Sequence, residues 1–472
     1  MFTAPQINYK GKRVSGGKVT LARELAYDTF TKVVEQGLNP EVLLEESYRD
    51  KNIPLTRLDK SFIKEIVYGT LRWYSKIYWI IQNTSKRDLK TSTPEIRSAL
   101  VLGAYQIFYM DRVPDRAAVN ESVEYVRKKG QAAGSGFVNG ILRSIARRAE
   151  YFPKPDKDKK PIEYLSLQYA HPQWVVQRWS QHFNFDKMRD LLLSNNQVPP
   201  YTIRVNGMKV SPEQLPDFRA MLLRDEKNHS ERKALRSCLH LREAPSLQDE
   251  NSLFNKGYYT IQDESSQLIS HLVDPKENEI IIDACAGKGG KTGHLYELGQ
   301  GKIRLIGLDK NPSQLELAKA SMKRLGHEGI TFLEADFLEY RPETLVDKIL
   351  LDAPCSGLGV LRRHPEGKWQ KTLAIIPTLS RQQRAFIEHG LSLLKVGGEL
   401  VYSVCSFETE EVNDHVAWVK QTYGDAVELI SPVSRLPDYY KRFVTRDNIF
   451  LVYSGNKDGM DGFGAFILKK KK

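Results

Sequence analysis

Apolar residues recur every three to four positions through the first third of the chain, which is the spacing of one face of an α-helix. The stripes comprise Ala22, Ala26, Phe30 and Val33; Phe62, Ile66, Thr70 and Trp73; Ile96, Leu100, Ala104, Ile107 and Phe108; Val119, Val123 and Val126; and Phe137, Ile141 and Ile145. Before the third stripe, Thr93 and Pro94 occupy the positions expected of an N-cap and a first helical residue. Residues 20–149 are therefore predicted to form a compact all-α domain.

The helical pattern stops at residues 150–161, where prolines and lysines cluster, so this stretch is predicted to be a linker. Residues 162–257 then combine two helical stretches, around Trp174 to Phe183 and Met188 to Leu193, with an alternating run from Tyr201 to Asn206. Alternation of this kind is typical of a strand. We predict a small α/β module here.

From about residue 258 the pattern changes to short apolar strands that alternate with helical segments. The predicted strands are Glu279 to Asp283, Ile303 to Asp309, Ile330 to Ala335, Lys348 to Asp352 and Glu399 to Val404. Because helical segments separate these strands, residues 258–472 are predicted to form a parallel, doubly wound sheet of the Rossmann type. Two more strands, near Ile449 to Tyr453 and Phe463 to Leu468, have the spacing of a hairpin joined by a long loop.

Composition and charge narrow the class of protein. A chain of 472 residues exceeds one ordinary core, and its net charge of +12 suits a polyanionic partner such as nucleic acid. The four cysteines are far apart and form no CxxC pair, so we expect neither a metal site nor disulfides, but a reduced, cytoplasmic setting. Residues 1–19 form a basic tail without the apolar segment of a signal peptide, and no run of about 18 apolar residues occurs, so membrane insertion is not expected.

Acidic residues end three successive predicted strands, at the edge where open α/β sheets bind ligands. Asp283 leads into a glycine-rich loop, Asp309 is placed to accept hydrogen bonds from a ribose, and Asp336 is placed to accept the amino group of an adenine. Together they predict a nucleoside-bearing cofactor that lies across the sheet. The loop residues predicted to contact it are Cys285, Ala286, Gly287, Lys288, Gly289, Gly290 and Lys291.

Two other cofactors remain compatible with this loop. The run from Cys285 to Thr292 differs from a phosphate-binding GxxxxGKT loop at its first position, where cysteine replaces glycine, so an RNA-stimulated ATPase stays open. A dinucleotide fingerprint, GxGxxG, fits at Gly287 and Gly289 but meets Thr292 at its third glycine. Neither alternative explains the cysteines described next.

Cysteines follow the fourth and fifth predicted strands. Cys355 stands in Asp352-Ala353-Pro354-Cys355 and Cys405 in Tyr402-Ser403-Val404-Cys405-Ser406. A single cysteine is more often a small buried hydrophobe. Two cysteines at neighbouring strand ends should instead meet in one pocket, together with Asp352, and this pairing predicts a functional role for the thiols.

These motifs resemble those of the RNA cytosine-5 methyltransferases, the family of the Sun, Fmu, RsmB and NSUN proteins. The resemblance rests on DAPCSGLGVLRRHPEGKW from Asp352, YSVCSFETEEVN from Tyr402, QDESS from Gln262, and the cofactor loop, in which Gly287-Lys288 replaces the usual Ala-Pro. In the first domain, YGTLR from Tyr68 and GFVNGILR from Gly136 resemble the NusB-like RNA-binding helical domain. This combination is similar to that of the family's small-subunit ribosomal RNA enzymes, in which the middle module is RRM-like.

The resemblance implies methylation of carbon 5 of a cytosine, with S-adenosylmethionine as cofactor. It assigns to Cys405 the nucleophilic attack on carbon 6 and to Cys355 a role in product release. Asp352 is expected both in the cofactor site and in hydrogen bonds to the cytosine. Attack from above the ring requires an unstacked base, so we expect a single-stranded or loop cytosine in ribosomal RNA. A transfer RNA substrate and a non-catalytic RNA-binding factor remain alternatives.

Basic residues near the site are candidates for contact with RNA phosphates. Arg362, Arg363 and Lys368 follow the first cysteine motif directly and are predicted to bind flanking phosphates. The polar side of the last helix of the first domain, with Arg143, Arg147 and Arg148, is a second candidate. We expect the protein to act as a monomer.

Overall fold

The structure, a computed structural model, describes residues 19–50, 53–147, 154–224, 229–230, 235, 237–241, 251–455 and 458–472. All but the last residue of the predicted basic tail, and part of the predicted linker, lie outside these ranges. The helices are α1 (Leu21–Gln36), α2 (Pro40–Arg49), α3 (Arg57–Thr84), α4 (Pro94–Tyr109), α5 (Asp115–Lys128), α6 (Ser135–Arg147), α7 (Pro161–Gln168), α8 (Gln173–Trp179), α9 (Phe185–Asn195), α10 (Leu215–Arg224), α11 (Glu264–Val273), α12 (Gly290–Leu298), α13 (Pro312–Leu325), α14 (Gly367–Gln370), α15 (Ile375–Leu393) and α16 (Asn413–Tyr423). The strands are β1 (Tyr201–Val205), β2 (His229–Ser230), β3 (Cys238–Leu241), β4 (Tyr259–Ile261), β5 (Ile280–Asp283), β6 (Arg304–Asp309), β7 (Thr331–Glu334), β8 (Val346–Asp352), β9 (Leu394–Val404), β10 (Val427–Ile430), β11 (Phe450–Val452) and β12 (Phe463–Lys470).

The chain divides into two compact units. The helical unit comprises Met1–Gln197 together with His364–Thr372, and the sheet unit comprises Val198–Arg363 together with Leu373–Lys472. Among the described residues, no helix combines the length and the apolar character that crossing a membrane requires.

The helical unit confirms the predicted all-α domain. Helices α1 to α6 share one apolar core, and the stripe on α1 that begins at Ala22 is buried throughout. Helix α3 begins at a capping box, in which the Asp59 amide donates to Thr56 Oγ1 at 3.1 Å and the Thr56 amide donates to Asp59 Oδ2 at 2.9 Å. Thr93 occupies the N-cap position of α4, but its side chain makes no capping hydrogen bond.

Helices α7, α8 and α9 pack in the helical unit, whereas the sequence pattern predicts that residues 162–197 belong to the middle module. Helix α7 contacts α3, and Lys76 Nζ on α3 donates to the carbonyl of Gln168 at 3.4 Å. Helical periodicity is the same on both sides of the proline-rich stretch, so the pattern alone did not reveal which core these helices join.

The short segment His364–Thr372, which contains α14, is inserted into the helical unit. Trp369 Nε1 donates to the carbonyl of Leu71 at 2.7 Å, and its ring packs edge-on against Tyr74 with centroids 5.6 Å apart. Gln370 Nε2 donates to the carbonyl of Val33 at 3.3 Å. The segment that follows the first cysteine motif is therefore anchored in the helical core.

A small antiparallel sheet opens the sheet unit, in the order β2-β3-β1-β4. This sheet and α10 form the predicted α/β module, with one further strand, β4, beyond its predicted end at residue 257. Arg204 on β1 ties the module to α12, since its buried guanidinium donates to Glu297 Oε1 at 2.7 Å and to the carbonyl of Gly290 at 2.9 Å.

The large sheet has the order β10-β12-β9-β8-β5-β6-β7, with β11 paired to β12. Strands β5 to β9 are parallel, as predicted, and β11 and β12 form the predicted antiparallel pair. Strand β10 was not predicted. Because β5 lies between β6 and β8, the strand order reverses there, and the carboxyl edge at this point is where open α/β sheets bind ligands.

Candidate active site

Parallel pairing brings the ends of β5, β8 and β9 together at one edge of the large sheet. Asp283 is in register with Leu350, and Asp352 is in register with Ser403. A cleft of about 200 Å³ lies at this edge. It is lined by Gln262, Ser266, Asp283, Cys285, Ala286, Gly287, Lys288, Gly290, Lys291 and Asp352. Most of the residues predicted to contact a cofactor are therefore at one cleft.

Two glycines shape the loop in different ways. Gly289 has a φ of +78°, and a Cβ there would lie 3.0 Å from Ala318 Cβ, so close packing against α13 excludes a side chain. It packs into the protein rather than lining the cleft. Gly287 has a φ of +53°, but a Cβ there would meet nothing within 4 Å. Open space at this position lets a ligand approach the backbone closely.

The predicted ribose and adenine acceptors lie beside the loop. Asp309 Oδ2 accepts the Gly287 amide at 2.9 Å, and its Oδ1 accepts the Asn311 amide at 2.8 Å. Asp336 follows β7, and its Oδ1 accepts the Leu338 amide at 3.0 Å. Both side chains are partly exposed, and a carboxylate oxygen has room for more than one donor. Both acids can therefore still accept hydrogen bonds from a ligand.

Asp283 is buried and only half satisfied. Its Oδ2 accepts Thr292 Oγ1 at 2.7 Å, whereas its Oδ1 is buried without a hydrogen-bond partner. Burial, reinforced by the nearby Asp352 carboxylate, raises the pKa of Asp283 to about 7. An unsatisfied buried oxygen in the wall of a cleft is a place for a donor group of a ligand.

Lys291 and Asp352 form an ion pair at the same edge. Lys291 Nζ lies 2.6 Å from Asp352 Oδ2, and Ser403 Oγ donates to Asp352 Oδ1 at 2.7 Å. Burial alone would lower the pKa of Lys291, but the Asp352 carboxylate outweighs it, and with a smaller contribution from Cys405 the pKa is raised. The ammonium is thus held charged between Asp352 and the thiols.

The structure brings the two predicted thiols together. Cys355 Sγ lies 3.3 Å from Cys405 Sγ, neither cysteine forms a disulfide, and both are partly exposed. The hydrogen bond with Cys405, followed by burial, raises the pKa of the Cys355 thiol well above its usual range. The pair therefore holds a neutral thiol at Cys355 in contact with the second sulfur.

A buried carboxylate that the sequence did not single out joins the two cysteine loops. Glu411 is fully buried; its Oε1 accepts the Ser356 amide at 2.7 Å, and its Oε2 accepts Ser356 Oγ at 2.5 Å. Ser356 Oγ also lies 3.1 Å from Ser406 Oγ. In the sequence, Glu410 and Glu411 are adjacent acids in a polar stretch, and nothing local marks the second as buried.

Gln383 on α15 supports the same carboxylate. Its Nε2 donates to Glu411 Oε1 at 3.1 Å and to the carbonyl of Pro354 at 2.9 Å. Its Oε1 accepts His415 Nε2 at 2.9 Å. Burial and the nearby Arg384 lower the pKa of His415 to about 4, so this imidazole is neutral at neutral pH and donates from Nε2.

The three basic residues predicted to bind RNA phosphates have other partners. Arg362 is almost fully buried; its Nε donates to Asp461 Oδ1 at 2.5 Å, and the neighbouring Arg363 donates to Asp263 Oδ2 at 2.8 Å. Both acids are far from these arginines in the sequence, so the local run of basic residues gave no indication of the ion pairs. For Arg362, the expected phosphate contact is replaced by a buried ion pair.

The position of Lys368 differs still more from the predicted contact with RNA phosphates. It is buried in the helical unit, and its Nζ donates to Asn196 Oδ1 at 2.5 Å and to the carbonyls of Arg72 and Ala170 at 3.2 and 3.3 Å. Burial and the nearby Arg72 lower its pKa well below the usual range. A phosphate cannot reach this amine, so its role is structural. The second candidate surface, with Arg143 and Arg147, is exposed on α6.

Away from the cleft, the described residues contain one group of three buried side chains with potential metal ligands, namely Cys238, His240 and Glu264. His240 Nε2 lies 3.1 Å from Glu264 Oε2, and the Tyr440 hydroxyl donates to Glu264 Oε1 at 2.5 Å. Hydrogen bonds thus satisfy both oxygens of the carboxylate, and we assign no metal to it.

Comparisons with known proteins cover most of the chain. The family model of the 16S rRNA methyltransferase RsmB/F matches residues 270–463, the NusB family model matches residues 20–147, and the model of the ferredoxin-like domain of RsmF/B-like methyltransferases matches residues 171–248. The last match confirms the small α/β module, and it includes α8 and α9, which pack in the helical unit here.

Similar curated proteins span nearly the same length. The chain is 31% identical to the probable ribosomal RNA small subunit methyltransferase B of Bacillus subtilis (strain 168), over 96% of this chain and 100% of the relative. It is 30% identical to the ribosomal RNA small subunit methyltransferase B of Proteus mirabilis (strain HI4320), over 86% of this chain and 92% of the relative.

Solved structures share the fold. The crystal structure of PH0851 aligns with a TM-score of 0.78 at 22% identity and covers 96% of this chain and 100% of that chain. A methyltransferase homologue from Pyrococcus horikoshii aligns with a TM-score of 0.54 at 25% identity and covers 66% of this chain and 99% of that chain.

Proposed function

The chain belongs to the 16S rRNA methyltransferase RsmB/F family, and on this basis we propose that it transfers a methyl group from S-adenosylmethionine to carbon 5 of a cytosine in small-subunit ribosomal RNA. The observation that carries the proposal is the pair of thiols 3.3 Å apart, at the same sheet edge as a ligand cleft. Relatives named as small-subunit ribosomal RNA methyltransferases support the choice of substrate.

The cleft has the features that a nucleoside-bearing cofactor requires. The loop from Cys285 to Lys291 would hold the cofactor along its backbone, Asp309 would accept the ribose hydroxyls, and Asp336 the adenine amino group. The unsatisfied Oδ1 of Asp283 fits an amino group of the ligand. When bound, S-adenosylmethionine supplies an electrophilic methyl group on a positively charged sulfur.

Cys405 acts as the nucleophile. Its thiolate would add to carbon 6 of the cytosine, and the electron pair of the C5=C6 double bond would form the bond from carbon 5 to the methyl group, while the bond from that methyl group to the sulfonium sulfur breaks and leaves its electron pair on the sulfur. The proton on carbon 5 must then leave. Its electron pair restores the double bond as the bond between carbon 6 and the sulfur of Cys405 breaks, which returns the thiolate.

Asp352 and Lys291 orient the base beside the thiols. The carboxylate of Asp352 is fixed by Lys291 at 2.6 Å and by Ser403 at 2.7 Å, so it faces the base without reorganisation. A preorganised acceptor beside the ring stabilises the adduct more than a mobile one would. Cys355, a thiol whose pKa is raised, assists release of the methylated product.

The substrate cytosine is unstacked when it reacts. Attack on carbon 6 comes from above the ring plane, and a single-stranded or loop nucleotide exposes that face at the lowest cost. The match of residues 20–147 to the NusB family, and the net charge of +12, support contact with RNA outside the cleft.

The proposal is tested with S-adenosylmethionine that carries a radiolabelled methyl group. The full chain is incubated with naked small-subunit ribosomal RNA, with small ribosomal subunits, or with total transfer RNA, and the nucleosides are then separated. We expect label in 5-methylcytidine from ribosomal RNA or its particle. Label from transfer RNA alone would retain the chemistry and reject the substrate, and no label with any of the three RNAs would reject the function.

A further inference from the structure

Glu411 connects the two cysteine loops in a way that neither motif alone would show. It follows Cys405 closely in the chain, yet both of its oxygens bond to Ser356, the residue after Cys355. Gln383 adds a third donor at 3.1 Å. These partners are neutral, and among the described residues Glu411 has no ion-pair partner. Neutral donors thus fix its carboxylate oxygens next to the Cys355 loop.

The charges around the two sulfurs are therefore unequal. Glu411 bonds to the residue next to Cys355 and raises the pKa of that thiol, and the ammonium of Lys291 interacts electrostatically with Cys405. A nearby cation favours a thiolate, and a nearby anion disfavours one. Two thiolates 3.3 Å apart would also repel each other, so the pair loses one proton before the other.

We propose that Glu411 is a positioning residue that gives the two thiols different roles: it holds the Cys355 loop against the Cys405 loop and keeps a negative charge beside Cys355, so that the thiolate forms on Cys405. The roles themselves rest on the function proposed above. The order in which the thiols ionise does not rest on that function, because ionisation is a property of the protein alone.

The groups that face Cys355 agree with this assignment. The hydrogen bond with Cys405, burial and the Glu411 carboxylate all raise the pKa of Cys355, and only a weaker hydrogen bond from the Gly357 amide lowers it. Tyr402 also faces this thiol, but burial raises its pKa well above its usual range, so the phenol is neutral. Glu411 is therefore a charged side chain that raises the pKa of Cys355, in addition to the effect of Cys405.

Glu411→Gln separates the charge from the contacts. The amide oxygen can keep the bonds from the Ser356 amide and from Gln383, while the amide nitrogen donates to Ser356 Oγ. That hydroxyl then turns to donate to Ser406 Oγ, which lies 3.1 Å away. The matched control is Glu399→Gln, which removes another buried carboxylate, paired with Arg435 at 2.7 Å.

The experiment measures the ionisation of each thiol directly. The full chain, without RNA or cofactor, is treated with iodoacetamide from about pH 6 to about pH 10, the range in which thiols ionise. Mass spectrometry of peptides then follows each cysteine separately. In the natural chain, Cys405 should be alkylated at lower pH than Cys355. In Glu411→Gln, alkylation of Cys355 near pH 8 should be about tenfold faster, a shift of about one pKa unit, while Glu399→Gln leaves it unchanged.

Each outcome decides the proposal. Alkylation of Cys355 at lower pH than Cys405 in the natural chain would overturn the proposal. This part of the experiment does not depend on whether any variant folds. An unchanged Cys355 profile in folded Glu411→Gln, or an equal change in Glu399→Gln, would also overturn it. Because alkylation needs neither RNA nor cofactor, a normal order of ionisation without methylation of any RNA would reject the proposed function and leave this inference standing.

Discussion

The loops that carry Cys355 and Cys405 are alike in sequence and unlike in surroundings. Each leaves the end of a parallel strand, and in each the cysteine is followed by a serine, so that both the sulfurs and the hydroxyls of the two loops are in contact. Glu411 is bonded to the residue after Cys355, and the ammonium of Lys291 interacts electrostatically with Cys405. Under the proposed function, we expect these surroundings, rather than the identity of the side chain, to decide which thiol attacks and which assists.

Replacing the thiols one at a time tests whether the two loops have different roles. Cys405→Ala should lower the rate of methylation at least about a thousandfold, as expected when a nucleophile is lost. Cys355→Ala should lower multiple-turnover methylation to a similar extent, but should leave a single, incomplete turnover. Single-turnover and multiple-turnover assays with labelled cofactor separate the two. If both variants were equally inactive in a single turnover, the roles would not be divided as proposed.

Removing the ammonium should reduce the contrast between the loops. Lys291→Met leaves Asp352 without its 2.6 Å partner and Cys405 without a nearby cation, so we expect methylation to fall by about a hundredfold. Iodoacetamide should also react with Cys405 more slowly at neutral pH. Lys302→Met, which removes an exposed lysine paired with Glu277, is the control and should retain full activity. A Cys405 reactivity that does not change in Lys291→Met would contradict the electrostatic role.

The serine between the loops should have a smaller effect. Ser356→Ala keeps the thiols and the Glu411 charge but removes the hydroxyl that bonds both Glu411 and Ser406. Loss of one buried hydrogen bond to a charged group costs about 1.5–3 kcal/mol of stability, measurable by denaturant unfolding. Methylation should fall only a few-fold. A loss of activity as large as that of Cys355→Ala would show that the hydroxyl takes part in the chemistry.

The smallest expected effect concerns the cofactor side of the site. The folded chain raises the pKa of Asp283 to about 7 from a usual value of 3.8, so the acid contributes stability that is full below about pH 4 and lost as the pH rises through 7. Without ligand, Asp283→Asn should flatten this fall in thermal stability between about pH 4 and 7. Calorimetry checks it, and an equally steep fall in the variant would mean that another group titrates.

Much of the fold followed from the sequence because its patterns are local. The helical stripe that begins at Ala22, and the alternation of strands and helices after residue 258, each describe one face of one element, and the structure has those elements. The boundary at residue 162 stays a prediction, since α7 to α9 have the same periodicity whichever core they join and the ferredoxin-like match from residue 171 includes α8 and α9. Only contacts such as that of Lys76 with Gln168 place them in the helical unit.

The candidate site divides in the same way. Glycines and strand-end residues such as Asp352 and Cys355 could be predicted, because backbone geometry and topology place them. The partners of the charged side chains could not be predicted in this way. Arg362 is paired with Asp461, about a hundred positions away, and Glu411 is one of two adjacent acids, so neither partnership is visible before the chain folds. A run of basic residues gives the sign of a charge but not its partner.

A covalent trap tests whether Cys405 attacks the cytosine and Cys355 releases the product. The natural chain, Cys355→Ala, Cys405→Ala and the double variant are each incubated with small-subunit ribosomal RNA and methyl-labelled S-adenosylmethionine, then run on a denaturing gel. We predict a labelled protein–RNA adduct with Cys355→Ala alone, because that variant can attack through Cys405 but releases its product slowly. An adduct formed by Cys405→Ala through Cys355 would contradict the account.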